Sequence, residues 1–238
     1  MRVNKSGKLP ASVIILAGGK GERIGGNKLF FSANGKYLVE SLIEKMSGTF
    51  DEVLLCIGNG EYEKVKSIFN PLLQHYSVKL VEDRRSGRGP IEGLYTGLNA
   101  MSNEWGFLIG CDMPNPQEAV INYMWERTIG LSEEYKVSVA CYDDHLMPLH
   151  AFYHKDCSYL IYSLIEYAES ERSATEDDYR LQSLGERKGF NSKFKLKYFY
   201  SVTTVNVIEE SELATIPEWK ESFAGFNTVN ELKSVISR

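Results

Sequence analysis

Residues 13 to 28 constrain this chain more than any other stretch. Val13-Ile14-Ile15-Leu16 is a short, wholly apolar run that breaks directly into Ala17-Gly18-Gly19-Lys20-Gly21-Glu22-Arg23-Ile24-Gly25-Gly26-Asn27-Lys28. A strand with no polar alternation is buried on both faces, as in a parallel sheet covered by helices. The loop after it therefore emerges at a sheet edge. Glycines at 18, 19, 21, 25 and 26 leave backbone N–H groups open to close approach, and Lys20, Arg23 and Lys28 add cations. That combination suits the dense negative charge of a nucleotide's phosphates. Two better-known phosphate loops fail on spacing. A Walker loop ends Gly-Lys-Ser/Thr, whereas Lys28 lies between Asn27 and Leu29. A dinucleotide fingerprint needs a third glycine where Ile24 stands.

Strand and helix patterns alternate through the first half. Apolar spacing predicts helices over Lys36–Met46, Glu61–Tyr76 and Pro90–Met101, and strands over Asp51–Ile57, Val78–Val81 and Gly106–Gly110. This predicts an α/β fold with a doubly wound, mostly parallel sheet, in which loops after the strands share one ligand-binding edge. Further on, Pro116–Ile129 and Asp156–Ala168 read as helices, and Lys136–Cys141, Leu149–Tyr153 and a segment within Phe194–Val207 as strands. Val229–Ile236 reads as a closing helix. A single domain over 1–238 is expected, with a flexible tail over about 1–10 and an inserted loop over 170–193. Tyr153, Tyr159, Tyr162 and Tyr167 are expected to form a buried stripe.

The net charge of -5 argues against a general nucleic-acid coat, and no apolar run reaches membrane-spanning length. Cys56, Cys111, Cys141 and Cys157 form no C-x-x-C pair, so a zinc knuckle or redox pair is not indicated and a cytoplasmic setting is the simplest. His145, His150 and His154 are spaced by five and four residues, which fits no standard zinc pattern. Asp112 follows a strand and is the candidate ligand for Mg²⁺ at the phosphates. Asp83 also follows a strand and faces the same edge. Arg84, Arg85 and Arg88 form a basic cluster in the following loop.

Leu16 to Lys28 resembles the L-A-G-G-x-x-x-R-M-G-x-x-K signature of nucleotidyltransferases, and within that superfamily the molybdenum cofactor guanylyltransferase (MobA) family. Four further blocks resemble it in order: Glu82-Asp83 with Gly89-Pro90-Ile91-Glu92-Gly93-Leu94; Cys111-Asp112-Met113-Pro114; Pro148-Leu149-His150-Ala151-Phe152-Tyr153; and Phe226-Asn227-Thr228 with Glu231-Leu232. Together they run from about Ser12 to Leu232. Ile24 replaces the usual methionine, Val229 a common proline, and the 170–193 loop is longer than is typical.

The resemblance implies transfer of GMP from GTP to the phosphate of the molybdopterin cofactor. It implies Lys28, Arg23 and Asp112 as the catalytic group, with Asp112 holding Mg²⁺. The nucleotide would be bound by Leu16, Ala17, Gly18, Gly19, Lys28, Asp83 and Asp112. Arg88, His150 and Asn227 are expected on the acceptor side. Cofactor-insertion or acceptor molybdoenzyme proteins are the candidate partners, with no nucleic acid and no membrane among them. The alternatives are a molybdenum cofactor cytidylyltransferase, another NTP transferase, and a non-catalytic nucleotide-binding regulatory protein. The cytidylyl enzymes resemble this chain but carry alanine where Gly19 stands, so the missing methyl favours a purine.

Overall fold

The computed structural model describes residues 7–18, 26–33, 35–176 and 196–226. Strand β1 (Leu9–Leu16) starts the order. A 3-10 turn (Lys28–Phe30) and a small hairpin, β2 (Ser32–Ala33) with β3 (Lys36–Tyr37), follow it. Then come α1 (Leu38–Thr49), β4 (Phe50–Ile57), α2 (Tyr62–His75), β5 (Lys79–Glu82), α3 (Pro90–Ala100) and β6 (Trp105–Gly110). The second half gives α4 (Glu118–Ile129), β7 (Val137–Tyr142), β8 (His145–His154) and α5 (Cys157–Glu176). After it lie α6 (Leu196–Tyr200), β9 (Val205–Ile208), α7 (Glu210–Leu213) and a 3-10 turn (Trp219–Phe223).

Seven strands form one sheet in the order β5-β4-β1-β6-β8-β7-β9. β5, β4, β1 and β6 are parallel, β8 is antiparallel to both its neighbours, and β7 and β9 are parallel again. This is the doubly wound, mostly parallel sheet expected. The chain moves outward from β1 to β4 and β5, then returns to place β6 on the other side of β1. Such a reversal opens a crevice at the carboxyl ends of the central strands.

The apolar run in β1 explains why helices cover both faces. Val13 and Ile15 join one buried cluster with Leu42 and Ile43 of α1, Phe69 of α2 and Trp125 of α4. Ile14 and Leu16 join the opposite cluster with Leu94 and Leu98 of α3 and Ile161 and Ile165 of α5. Burying one such side chain contributes roughly 1.5–3 kcal/mol.

Three expectations are corrected and one is sharpened. β1 begins at Leu9, inside the segment read as tail. Helix α5 continues to Glu176, because 169–176 contains no glycine or proline to end it. The strand expected within Phe194–Val207 is present as β9 at the end of that stretch, preceded by an unexpected helix over Leu196–Tyr200. Alternating Phe194, Leu196 and Tyr198 imitates a strand, but Leu196 and Phe199 turn one helical face into the core. The tyrosine stripe is reversed: Tyr159, Tyr162 and Tyr167 are 79%, 44% and 50% exposed, and the buried positions are Cys157, Ile161, Ile165 and Ala168. Tyr153 alone of the four is buried, on β8, where its hydroxyl pairs with Tyr200. The expected helix over 229–236 lies outside the described residues, as does the stretch 177–193 of the expected loop. Among the described residues no helix is long and apolar enough to cross a membrane.

Helix α3 rides unusually close to β1. A Cβ placed on Gly97 would lie 2.4 Å from Cγ2 of Ile14. Gly97→Ala is therefore expected to lower stability by about 1–3 kcal/mol through overpacking, read as a lower urea midpoint. An unchanged midpoint would mean that the two elements are not in this contact in solution.

Candidate functional site

Three backbone hydrogen bonds carry the sheet's pairing one step past the strand ends. Ala17 N donates to Cys56 O at 2.8 Å, Cys111 N to Leu16 O at 2.9 Å, and Asp83 N to Ile57 O at 2.9 Å. They bring Gly18, Asp83 and Asp112 out of one rigid edge. Gly18 packs close to this edge: a Cβ on it would lie 3.2 Å from the Gly58 nitrogen and 3.5 Å from Asp83 Oδ2.

Lys28 and Asp112 meet at this edge. They are 84 residues apart in sequence, and Lys28 Nζ donates to Asp112 Oδ2 at 2.5 Å. Their side chains are 21% and 19% exposed, so the pair is sheltered yet reachable. Lys28 is fixed from both sides along the chain. Asn27 caps the 3-10 turn by accepting from Leu29 N at 3.0 Å, and Leu29 is buried. The Asn27 amide also donates to Glu61 Oε1 at 2.7 Å, while Glu61 Oε2 accepts from Gly58 N at 3.0 Å. Asp112 folds back over the end of β6. A Cβ on Gly110 would lie 2.3 Å from Asp112 Oδ1, so only glycine leaves room for that carboxylate.

Asp83 is held in a different environment. Its Oδ1 is buried without a hydrogen-bond partner. Burial pushes its carboxyl up to about 6, and the charges of Glu92, Glu61 and Glu82 push the same way against the nearby Thr96 hydroxyl. Glu92, in the first turn of α3, is itself buried and raised by that burial, with Arg85 and Arg88 opposing. Asn59 donates from its amide to Asp83 O at 3.1 Å and keeps the loop in register.

The remaining expected site residues are distributed unevenly. Leu16 and Ala17 form the end of β1 and the first step beyond it. Arg88 Nε and Nη2 donate to Glu169 Oε1 of α5 at 3.0 and 2.8 Å, and Arg85 Nη2 to Glu166 Oε1 at 2.6 Å, so the basic loop is tied to that helix. His150 corrects its expectation. It is fully buried on β8 between the rings of Phe107 and Phe223, 4.9 and 4.6 Å away, and burial lowers its imidazole to about 3. A neutral, enclosed ring of this kind packs the core and does not face a ligand. Gly19, Arg23 and Asn227 lie outside the described residues.

Two contributors were not expected at the site from the sequence. Glu61 follows Gly58-Asn59-Gly60 directly after β4, and its place beyond a strand on the ligand edge was a usable signal. Phe226 opens the terminal Phe226-Asn227-Thr228 block, but nothing in the sequence marks what its ring faces. It returns from the C-terminal side, where its N–H donates to Asp112 O at 3.1 Å.

A family model described as a MobA-like NTP transferase domain matches residues 13–183. A probable molybdenum cofactor guanylyltransferase of Natranaerobius thermophilus is 28% identical over 200 residues, covering 84% of this chain and 94% of that protein. One of Peptoclostridium acidaminophilum is 28% identical over 229 residues, covering 95% and 88%. The crystal structure of molybdopterin-guanine dinucleotide biosynthesis protein A from Archaeoglobus fulgidus shares the fold with a TM-score of 0.69 at 20% identity, covering 95% of this chain and 97% of that one.

Asp83 gives the edge a pH signature that needs no ligand. Its folded value of about 6 lies above the ordinary 3.8, so between the two the folded protein holds a proton that the unfolded chain has released. Stability contributed by that proton is present at low pH and is lost as pH rises through about 6. Asp83→Asn should then be more stable than wild type by roughly 1–2 kcal/mol at about pH 8, and equal to it below about pH 4. Urea midpoints across that range check this, and no gain at the alkaline end would contradict the burial of Asp83.

Proposed function

Because this chain belongs to the MobA-like NTP transferase family, a family of nucleotidyltransferases, we propose that it transfers GMP from GTP to the terminal phosphate of a molybdopterin cofactor. The pairing of Lys28, on the 3-10 turn that follows β1, with Asp112 beyond β6 carries this reading. A triphosphate needs a cation and a metal-holding carboxylate side by side, and a loop that merely binds a neutral ligand needs neither. The guanylyl group and the acceptor are taken from the names of the curated relatives.

In this reading an acceptor phosphate oxygen attacks the α-phosphorus of GTP. A new P–O bond forms, the bond to the β-phosphate's bridging oxygen breaks, and pyrophosphate leaves with the electron pair. No protein nucleophile is required. Lys28, Arg23 and the amides of Gly18 and Gly19 neutralise the charge on the phosphates. Asp83 accepts hydrogen bonds from the guanine or the ribose through the oxygen that faces Gly18. Arg88 and Asn227 serve the acceptor. His150 is not included, since its ring is enclosed.

Asp112 suits Mg²⁺ by the chemistry of its donors. It offers hard carboxylate oxygen at a partly open edge, and among the described residues no group of three or more His, Cys, Asp or Glu could hold a metal. A cation there would complete its shell with water and phosphate oxygens, the habit of Mg²⁺. When bound it would supply further neutralisation of the phosphates.

Purified protein given Mg²⁺, molybdopterin and each triphosphate in turn is expected to release pyrophosphate with GTP. Release with CTP alone would replace the guanylyl reading by a cytidylyl one, and nucleotide binding without release from any triphosphate would favour a regulatory protein. Asp112→Asn is expected to lower turnover about 100-fold or more while GTP binding largely survives. Unchanged turnover in that variant would remove Asp112 from the metal role.

A further inference from the structure

The segment after the last 3-10 turn returns across the sheet to the Lys28–Asp112 pair. It is anchored in the core before it arrives. Ser222 is buried, and its hydroxyl oxygen accepts from Gln117 N at 3.0 Å and lies 3.2 Å from His150 Nε2. Phe223 packs on the His150 ring, and three residues later Phe226 N–H reaches the Asp112 carbonyl. The Phe226 ring is fully buried, with the edge of Phe31 at 6.1 Å between centroids. Lys28 Nζ stands over that ring, 5.7 Å from its centroid.

The ammonium thus has the Asp112 carboxylate at one side and an aromatic face at another. Lysine's four-carbon stem is flexible, and its head is a strongly hydrated point charge. An ion pair alone fixes one distance. An aromatic face adds a second attraction through its negative quadrupole and excludes water from that side, within the roughly 6 Å over which such contacts act. An aliphatic residue could fill the same core volume, but it would offer the cation nothing.

We propose that the face of Phe226 is a positioning surface for Lys28, holding its ammonium beside Asp112 so that it meets an arriving triphosphate already oriented. This concerns the nucleotide site described above and rests on that reading. Phe226 touches no reacting atom and acts only through Lys28. The backbone bond to Asp112 lets one short segment set both members of the pair, which explains why this residue is buried at the site and not in the centre of either core cluster.

The test replaces Phe226 by mono-, di- and trifluorinated phenylalanine, which keeps the ring's shape while draining its face of electron density. Two quantities are read along the series: the rate at which Lys28 is acetylated in the nucleotide-free protein, and the Kd for GTP with Mg²⁺. Both are expected to rise stepwise, the Kd by roughly two- to thirty-fold in total. Phe226→Leu should match or exceed the trifluoro protein, and Phe226→Trp should restore both readouts. Should Phe226→Leu fail to fold, the fluorinated series decides, because a ring of unchanged shape that merely fills space gives no trend. A flat acetylation series overturns the proposal. So does a flat Kd series in a protein that binds GTP. If wild type binds no GTP, the base assignment falls, while the acetylation series still reads the role of Phe226.

Discussion

Strand β1 is hydrogen-bonded along both edges, to β4 on one side and β6 on the other, and it carries apolar side chains toward both faces. It therefore has no freedom to shift. A slip of one residue would exchange Val13 and Ile15 with Ile14 and Leu16 between two unlike cores, one lined by α1, α2 and α4 and the other by α3 and α5. Everything at the carboxyl edge inherits that rigidity. Cys111 N is tied to the last carbonyl of β1, and Ala17 N to a carbonyl near the end of β4. Groups far apart in sequence can then be held at hydrogen-bond distance without a dedicated scaffold around them.

The same edge holds two aspartates in opposite electrostatic settings. Asp112 has a cation against it and glycine beneath it. Asp83 has a buried, unpartnered oxygen and three glutamates near enough to raise its carboxyl. A carboxylate beside an ammonium suits phosphate and metal chemistry. One displaced toward neutrality is costly to leave unmatched, and a ligand that supplies donors relieves that cost. The difference arises from the neighbours each loop brings, since both residues simply follow a strand.

The sheet was legible because its strands are short, apolar and separated by clear turns, so period and punctuation agreed. Where they disagreed, the reading failed. Leu196 and Phe199 lie in a stretch that alternates like a strand but is turned by the core into a helix, so the expected strand follows only at β9. Tyr159, Tyr162 and Tyr167 look like core by composition, yet the smaller Ile161, Ile165 and Ala168 take the inward face of α5. His150 sits in a block that resembles a functional one, and only the packing of Phe107 and Phe223 reveals that it is enclosed. Lys28 and Asp112 each stood out in the sequence, but that they touch could not be read there, since register fixes it across three elements. Phe226 was harder still. It opens a block that resembles the family's terminal one, but its significance lies in what its ring faces, and that is set only by the fold.

The charge balance of the chain is explained by how its cations are kept. A protein with net charge -5 that is proposed to take up a triphosphate cannot rely on a broad positive surface. Here the edge cations have carboxylate partners inside the fold: Lys28 has Asp112, Arg85 has Glu166, and Arg88 has Glu169. For any of them to meet a phosphate is an exchange of one anion for another, which gains little Coulomb energy by itself. What a phosphate offers beyond a carboxylate is more oxygens, able to engage backbone amides and a cation at once. The glycine-rich loop after β1 matters for this reason. In the proposed function its glycines would supply donors that no internal glutamate can satisfy together, and so let a nucleotide compete for cations that are otherwise matched.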